Sequence, residues 1–79
     1  MARFYFHSRD PDGEVLDPDG VECRDLGTVA DYALRNARDV IAGGAQEGII
    51  DLTVRIDVED EAGCIVHSLA FGDAVTITA

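Results

Sequence analysis

His7 shares alternate positions with Arg3 and Tyr5 in the opening segment Arg3-Phe4-Tyr5-Phe6-His7-Ser8-Arg9-Asp10. An imidazole, a phenol and a guanidinium on one strand face could hold an anion or a peptide, or form a dimer surface. A catalytic histidine needs more: a nucleophile and an orienting carboxylate within hydrogen-bond reach. Ser8, the adjacent hydroxyl, alternates to the opposite face, so the simplest nucleophile–base pair is excluded. The trio reads first as an ordinary exposed strand face, which Tyr and Arg suit. Its second reading is a binding surface.

The next chemical cluster is acidic. Asp10, Asp12, Glu14, Asp17 and Asp19 crowd into one short stretch, and calcium takes about six to eight oxygens around a sharp turn. An EF-hand loop begun at Asp10 would need Gly at position 15 and Glu at position 21; Val15 and Val21 stand there. Pro11 and Pro18 favour plain turns instead. Weak divalent-metal or small-ligand binding at these turns is the third functional class the sequence leaves open. His67, inward by its strand register, reads as a satisfied core or edge histidine rather than a ligand. Cys23 and Cys64 match neither C-x-x-C nor a zinc spacing, and read as free thiols. No metal or cofactor site is expected. The chain has no P-loop, no dinucleotide fingerprint, no H-E-x-x-H and no nucleophile elbow. With 79 residues it is also short for enclosing a deep pocket, so the expectation is a protein that is not an enzyme.

Charge narrows the partners. Sixteen carboxylates against six basic residues, all of them arginine, leave a net charge of −10. Phosphate backbones are bound by clustered cations that release counterions, whereas Arg3, Arg9, Arg24, Arg35, Arg38 and Arg55 are scattered. Nucleic acid is therefore not an expected partner. Self-repulsion that keeps the chain soluble is the plain reading of the charge; a basic protein partner, or mimicry of DNA, is the sharper one. No apolar run of membrane-spanning length and no secretory pattern is present, which sets a cytoplasmic location as the expectation.

One domain over residues 1–79 must position these groups. Residues 3–8 alternate as a half-buried strand with Phe4 and Phe6 inward. Asp10-Pro11-Asp12-Gly13 and Asp17-Pro18-Asp19-Gly20 are turns, with short strands expected at 14–16 and 21–23. Asp25 is the N-cap of a helix over 26–42. Its apolar arc holds Leu26, Val29, Ala30, Ala33, Leu34, Ala37, Val40 and Ile41, and Gly43-Gly44 supplies its stop. Residues 53–59 and 64–71 form a hairpin about Asp60-Glu61-Ala62-Gly63, pairing Val58 with Ile65, Ile56 with His67 and Val54 with Leu69. Residues 75–77 are a further candidate strand.

The chain resembles a family of small bacterial domains of unknown function. The resemblance rests on Arg3-Phe4-Tyr5-Phe6-His7-x-Arg9-Asp10, the Asp25-Leu26 helix entry, the Ala-rich helix, Ile56-x-Val58-x-Asp60-x-x-Gly63 and Phe71-x-Asp73-Ala74-Val75, in that order. It implies a small α+β fold and no activity, cofactor or catalytic residue. His67 departs from it, standing where an apolar side chain is expected. At the level of element pattern alone, the short strands, acidic turn and Ala-rich helix are also similar to antitoxin domains of the HicB type, which cover a small basic ribonuclease.

The reading is thus an α+β two-layer domain: an antiparallel sheet of three to five strands with one helix on one face. The expected core is Phe4, Phe6, Leu26, Ala30, Ala33, Ala37, Ile41, Val54, Ile56, Val58, Ile65 and Leu69. The uncovered sheet face would carry Arg3, Tyr5, His7, Arg55, Asp57, Glu59, Val66 and Ala70. Arg3, Tyr5, His7, Arg55 and Val66 are its candidate interaction surface. The expected function is that of a small acidic protein-interaction or regulatory module that meets a protein partner or a second copy as a homodimer. The alternative is an antitoxin-like inhibitor of a basic ribonuclease.

Overall fold

The alternation of the opening segment runs further than expected. In the computed structural model, which describes residues 1–78, strand β1 spans Ala2–Asp10 rather than 3–8. It is the organising strand of the sheet. β4 (Arg55–Glu59) pairs along one of its edges, and β2 (Gly13–Val15) and β3 (Val21–Cys23) divide the other edge between its two ends. β5 (Ile65–Ala70) pairs with β4 and completes a five-stranded antiparallel sheet. Helix α1 (Leu26–Gln46) covers one face, and the short helix α2 (Phe71–Ala74) follows β5 directly. The architecture is the expected α+β arrangement of a sheet and a covering helix.

Asp25 starts α1 as the sequence indicates. Its backbone is extended (φ −160°), and its Oδ1 accepts from the Thr28 amide at 2.7 Å and the Thr28 hydroxyl at 2.8 Å. The end of the helix differs. α1 runs through Gly43 and Gly44 and stops at Gly48, which takes φ +84°. The Gly48 amide donates to the Ala45 carbonyl and the Ile49 amide to the Gly44 carbonyl. That pair of bonds is the Schellman closure, which needs a left-handed residue just past the helix. Gly44 has its own reason to be glycine: the Ile49 carbonyl lies where a side chain would stand.

The β4–β5 register also differs from expectation. Asp60 and Cys64 close a loop of Glu61, Ala62 and Gly63, with Gly63 at φ +83°; this is the three-residue hairpin with glycine in the left-handed position. Glu59 therefore faces Ile65. A bulge follows, after which Val58 faces His67, Ile56 faces Leu69 and Asp57 faces Ser68. The bulge decides the chemistry of both faces. Without the extra residue Ser68 would stand opposite Ile56, toward the helix; with it, Leu69 packs inward and Ser68 reaches Asp57. The expected pairs Val58–Ile65, Ile56–His67 and Val54–Leu69 are thus replaced. Residues 75–77 form no strand, and the β-structure of the hairpin gives way to α2 at Phe71.

The core is Phe4, Phe6, Cys23, Val29, Ala33, Ala37, Ile56, Val58, Phe71 and Ala74. The small side chains of Ala33 and Ala37 let α1 lie close to the sheet, and Tyr32 packs its ring 4.6 Å from that of Phe6. Two expected core residues are exposed. Leu26 opens the helix a turn before its first buried residue, Val29. Ile65 is turned to the outer face by the three-residue loop. Ala30, Ile41, Val54 and Leu69 are half-buried at the core margin. Val66, expected on the outer face, packs against the core instead, because it sits at the bulge.

Candidate functional site

The sheet face turned away from α1 is closed by ion pairs. Arg9 is its hub. Its Nε donates to Glu14 at 2.8 Å, one terminal nitrogen to Asp57 at 3.0 Å and the other to Glu59 at 3.3 Å. Asp57 also accepts from Arg55 Nε at 3.1 Å and, through its other oxygen, from the Ser68 hydroxyl at 2.8 Å. Asp57 is only 4% exposed although no helix covers it; the guanidinium groups themselves exclude water. Burial pushes the Asp57 carboxyl up, but the Ser68 hydroxyl and the Arg9 and Arg55 guanidiniums together draw it below the ordinary carboxylate range. The bonds to Glu14 and then Asp57 hold Arg9 firmly protonated.

A second device closes the edge of β1 between β2 and β3. There the Asp17 carboxylate replaces a strand: one oxygen accepts from the Phe6 amide at 3.2 Å, the other from the amides of Asp19 and Gly20 at 3.2 and 3.0 Å. The Asp17 amide in turn donates to His7 Nδ1 at 3.1 Å. His7 Nε2, the nitrogen left to carry a proton, lies 3.6 Å from Glu59. Burial raises the Asp17 carboxyl, and the amides of Gly20, Phe6 and Asp19 outweigh it, so that it too is held low. Arg3 anchors the same loop through the Asp19 carbonyl at 2.8 Å and Glu22 at 3.1 Å. Gly20 takes φ +72°, and a side chain there would meet Arg3, Tyr5 and the Phe4 carbonyl.

Of the five predicted surface residues, Arg3, Tyr5, His7 and Arg55 share this face and Val66 does not. Tyr5 stacks on His7 with ring centroids 6.4 Å apart. The arrangement is poor catalytic machinery. The Ser68 hydroxyl donates to Asp57 rather than to an imidazole, and a carboxylate held low by two guanidiniums is a weak base. The hub at Arg9 lies outside the expected surface set, although it continues the alternation of Arg3, Tyr5 and His7 by one step. The acidic turns are likewise internally engaged: Asp10 accepts from the Asp12 amide, Glu14 pairs with Arg9 and Asp17 closes the β1 edge. Among the described residues, no three of the His, Cys, Asp and Glu side chains group as a metal site. Cys23 is buried and Cys64 exposed, both as free thiols. Burial, and then the charge of Asp25, pushes the Cys23 thiol up.

The helix side of the molecule presents the contrasting surface. Between the β1–β2 hairpin and the C-terminal half of α1 runs an open groove of about 450 Å³, floored by Val40, Val54 and Phe71. A depression of about 220 Å³ continues it over the same three residues to Ile41, Ile49 and Ile50. Val15 and Ile49, at opposite ends, are 73% and 69% exposed. The floor is fixed by the Phe71 amide, which donates to the Val54 carbonyl at 2.9 Å. Acidic residues line both ends: Asp10 and Asp12 at one, Glu47 and Asp51 at the other. Val40 lies on the apolar arc of the helix, and the rest of the apolar signal is Ile49-Ile50, just past its end. Among the described residues no helix is long and apolar enough to cross a membrane.

Comparison with known proteins adds one match. The model of the family described as Domain of unknown function (DUF6894) matches residues 3–72, nearly the whole chain, and the chain belongs to that family. No curated protein and no solved structure matches.

Proposed function

We propose that this member of the family acts as a small protein-interaction module, without catalytic activity of its own, and that it docks a segment of a different protein in the groove beside α1. One observation carries the reading. Val15, Ile49 and Ile50 are exposed together around a preformed apolar floor, in which Val40 is itself half open. Contiguous exposed apolar surface on a small soluble domain is characteristic of interaction sites. The opposite face favours the same conclusion by elimination, since its charged groups already satisfy one another and offer a ligand little.

The test is crosslinking and quantitative mass spectrometry in the native host with wild-type protein, Val40→Asp, and Arg55→Ala as the outer-face control. The expected result is one near-stoichiometric partner protein that Val40→Asp loses and Arg55→Ala keeps. A partner kept by Val40→Asp and lost by Arg55→Ala would move the site to the outer face. Recovery of the chain alone from all three would overturn the reading.

A further inference from the structure

The groove is apolar along its floor and acidic at both ends, and that combination selects an occupant. We propose that it takes a basic amphipathic segment of its partner, with apolar side chains along one face and arginine or lysine at both ends. The proposal rests on the interaction reading above and specifies its ligand.

The relevant charge is local. Four acidic residues line the groove, Asp10, Asp12, Glu47 and Asp51, apart from Glu14, whose carboxylate is turned to Arg9 on the outer face; no arginine lines it. Most of the chain's six arginines are engaged elsewhere: Arg3, Arg9 and Arg55 in ion pairs of the outer face, Arg24 with Asp25, and Arg38 on the Ala74 carbonyl at 2.8 Å. Two of these four carboxylates are oriented by the protein itself: Asp10 accepts from the Asp12 amide, and Asp51 from the amide and hydroxyl of Thr53. Asp12 and Glu47 are exposed. Preoriented charge at the rim of an apolar floor steers a complementary ligand and fixes its register. A second copy of this chain fits badly, because two grooves brought together would oppose acidic rims at both ends. A purely apolar segment would bury its own ends against unpaired carboxylates.

The probes are three synthetic peptides: a helix-forming peptide with leucines on one face and arginines at both ends, the same leucine pattern with glutamates at the ends, and an arginine peptide without leucines. Binding is measured by titration at fixed ionic strength, and the site by amide NMR shifts. The expected result is binding of the arginine–leucine peptide at least about tenfold tighter than the other two. Amide shifts would centre on Val15, Val40 and Ile49, and Asp12→Arg with Glu47→Arg would reverse the preference toward the glutamate peptide. Equal binding of the two leucine peptides would overturn the basic specificity and leave the interaction reading standing. Binding of the arginine-only peptide as tightly, untouched by Val40→Asp, would show attraction to net charge and overturn the proposal. No groove shift with any peptide would sink both. A dimer that Val40→Asp dissolves would assign the groove to a second copy and overturn it as well.

Discussion

The two sides of this sheet solve one problem in opposite ways. Toward α1, Ile56 and Val58 disappear beneath a helix; away from it, Asp57, between them in sequence, is as well buried beneath guanidinium groups. The outer face is therefore closed although no second layer covers it. The groove is the reverse, an apolar surface left open at the margin of the layer that should bury it. The difference teaches that polarity here does not mark the available surface. Charged groups that bond one another are structure, and the aliphatic groups around Val40 are what is left exposed.

The comparison breaks most visibly at Asp57. Asp57→Ala strands Arg9 and Arg55 together and removes the acceptor of Ser68, and is expected to cost about 2–3 kcal/mol, discounted for the partial exposure of both arginines. Urea denaturation reads it directly, and a loss under 1 kcal/mol would mean that the outer face is merely decorated with ion pairs. Acid tests the same network more gently. Asp57 and Asp17 are held low in the folded chain, so their contribution to stability is complete above the ordinary aspartate value of 3.8 and is lost as pH falls through their lower folded values. The midpoint of urea unfolding should be flat from pH 7 to about 5 and fall below that. Asp57→Asn should be less stable at neutral pH and flatter toward acid.

At the groove end of α1 two adjacent glycines should respond with opposite signs. Gly44→Ala forces the helix end against the Ile49 carbonyl and is expected to cost about 1 kcal/mol. Gly43→Ala meets nothing and should gain about 0.5–1 kcal/mol from helix propensity. Thermal melts of the pair give both numbers. Smallest of all, Val40→Asp and Ile49→Asp should change stability by no more than about 0.5 kcal/mol, as exposed positions do. A large loss from either would show that these residues hold the fold together and would weaken the contrast between the two surfaces.

The sequence exposes the layers more readily than the surfaces. Alternation in β1 and β4, the Asp25 cap and the alanines of α1 are local signals, and each leads to the element observed. The β5 register is not local in that sense: it depends on whether the hairpin loop holds three or four residues, and on a bulge whose benefit appears only when Ser68 meets Asp57. The end of α1 misled for a related reason. Gly43-Gly44 has the composition of a stop, yet Gly44 is required by a carbonyl five residues later, and the left-handed residue is Gly48. The polar face was legible in membership and illegible in state, since Arg3, Tyr5, His7 and Arg55 could be placed together while their mutual satisfaction through Arg9 depends on pairing across the sheet. The groove assembles from three separate segments, and its local traces in the sequence are Val40 on the apolar arc and Ile49-Ile50 past the helix end.

The place of β1 in the sheet bears on how the chain is made. Arg9 is separated from Asp57 by 48 positions, and all but the hairpin edges of β1 await β4. During synthesis the segment bearing Phe4 and Phe6 emerges well before the strand that shelters it, and α1 emerges in between with its apolar arc equally bare. The early half can pair β1 with β2 and β3 on its own, whereas the other edge of β1 waits for residues 55–59. In that interval the acidic turns at Asp10–Asp19 are well placed to keep the nascent aromatic strand apart from its neighbours.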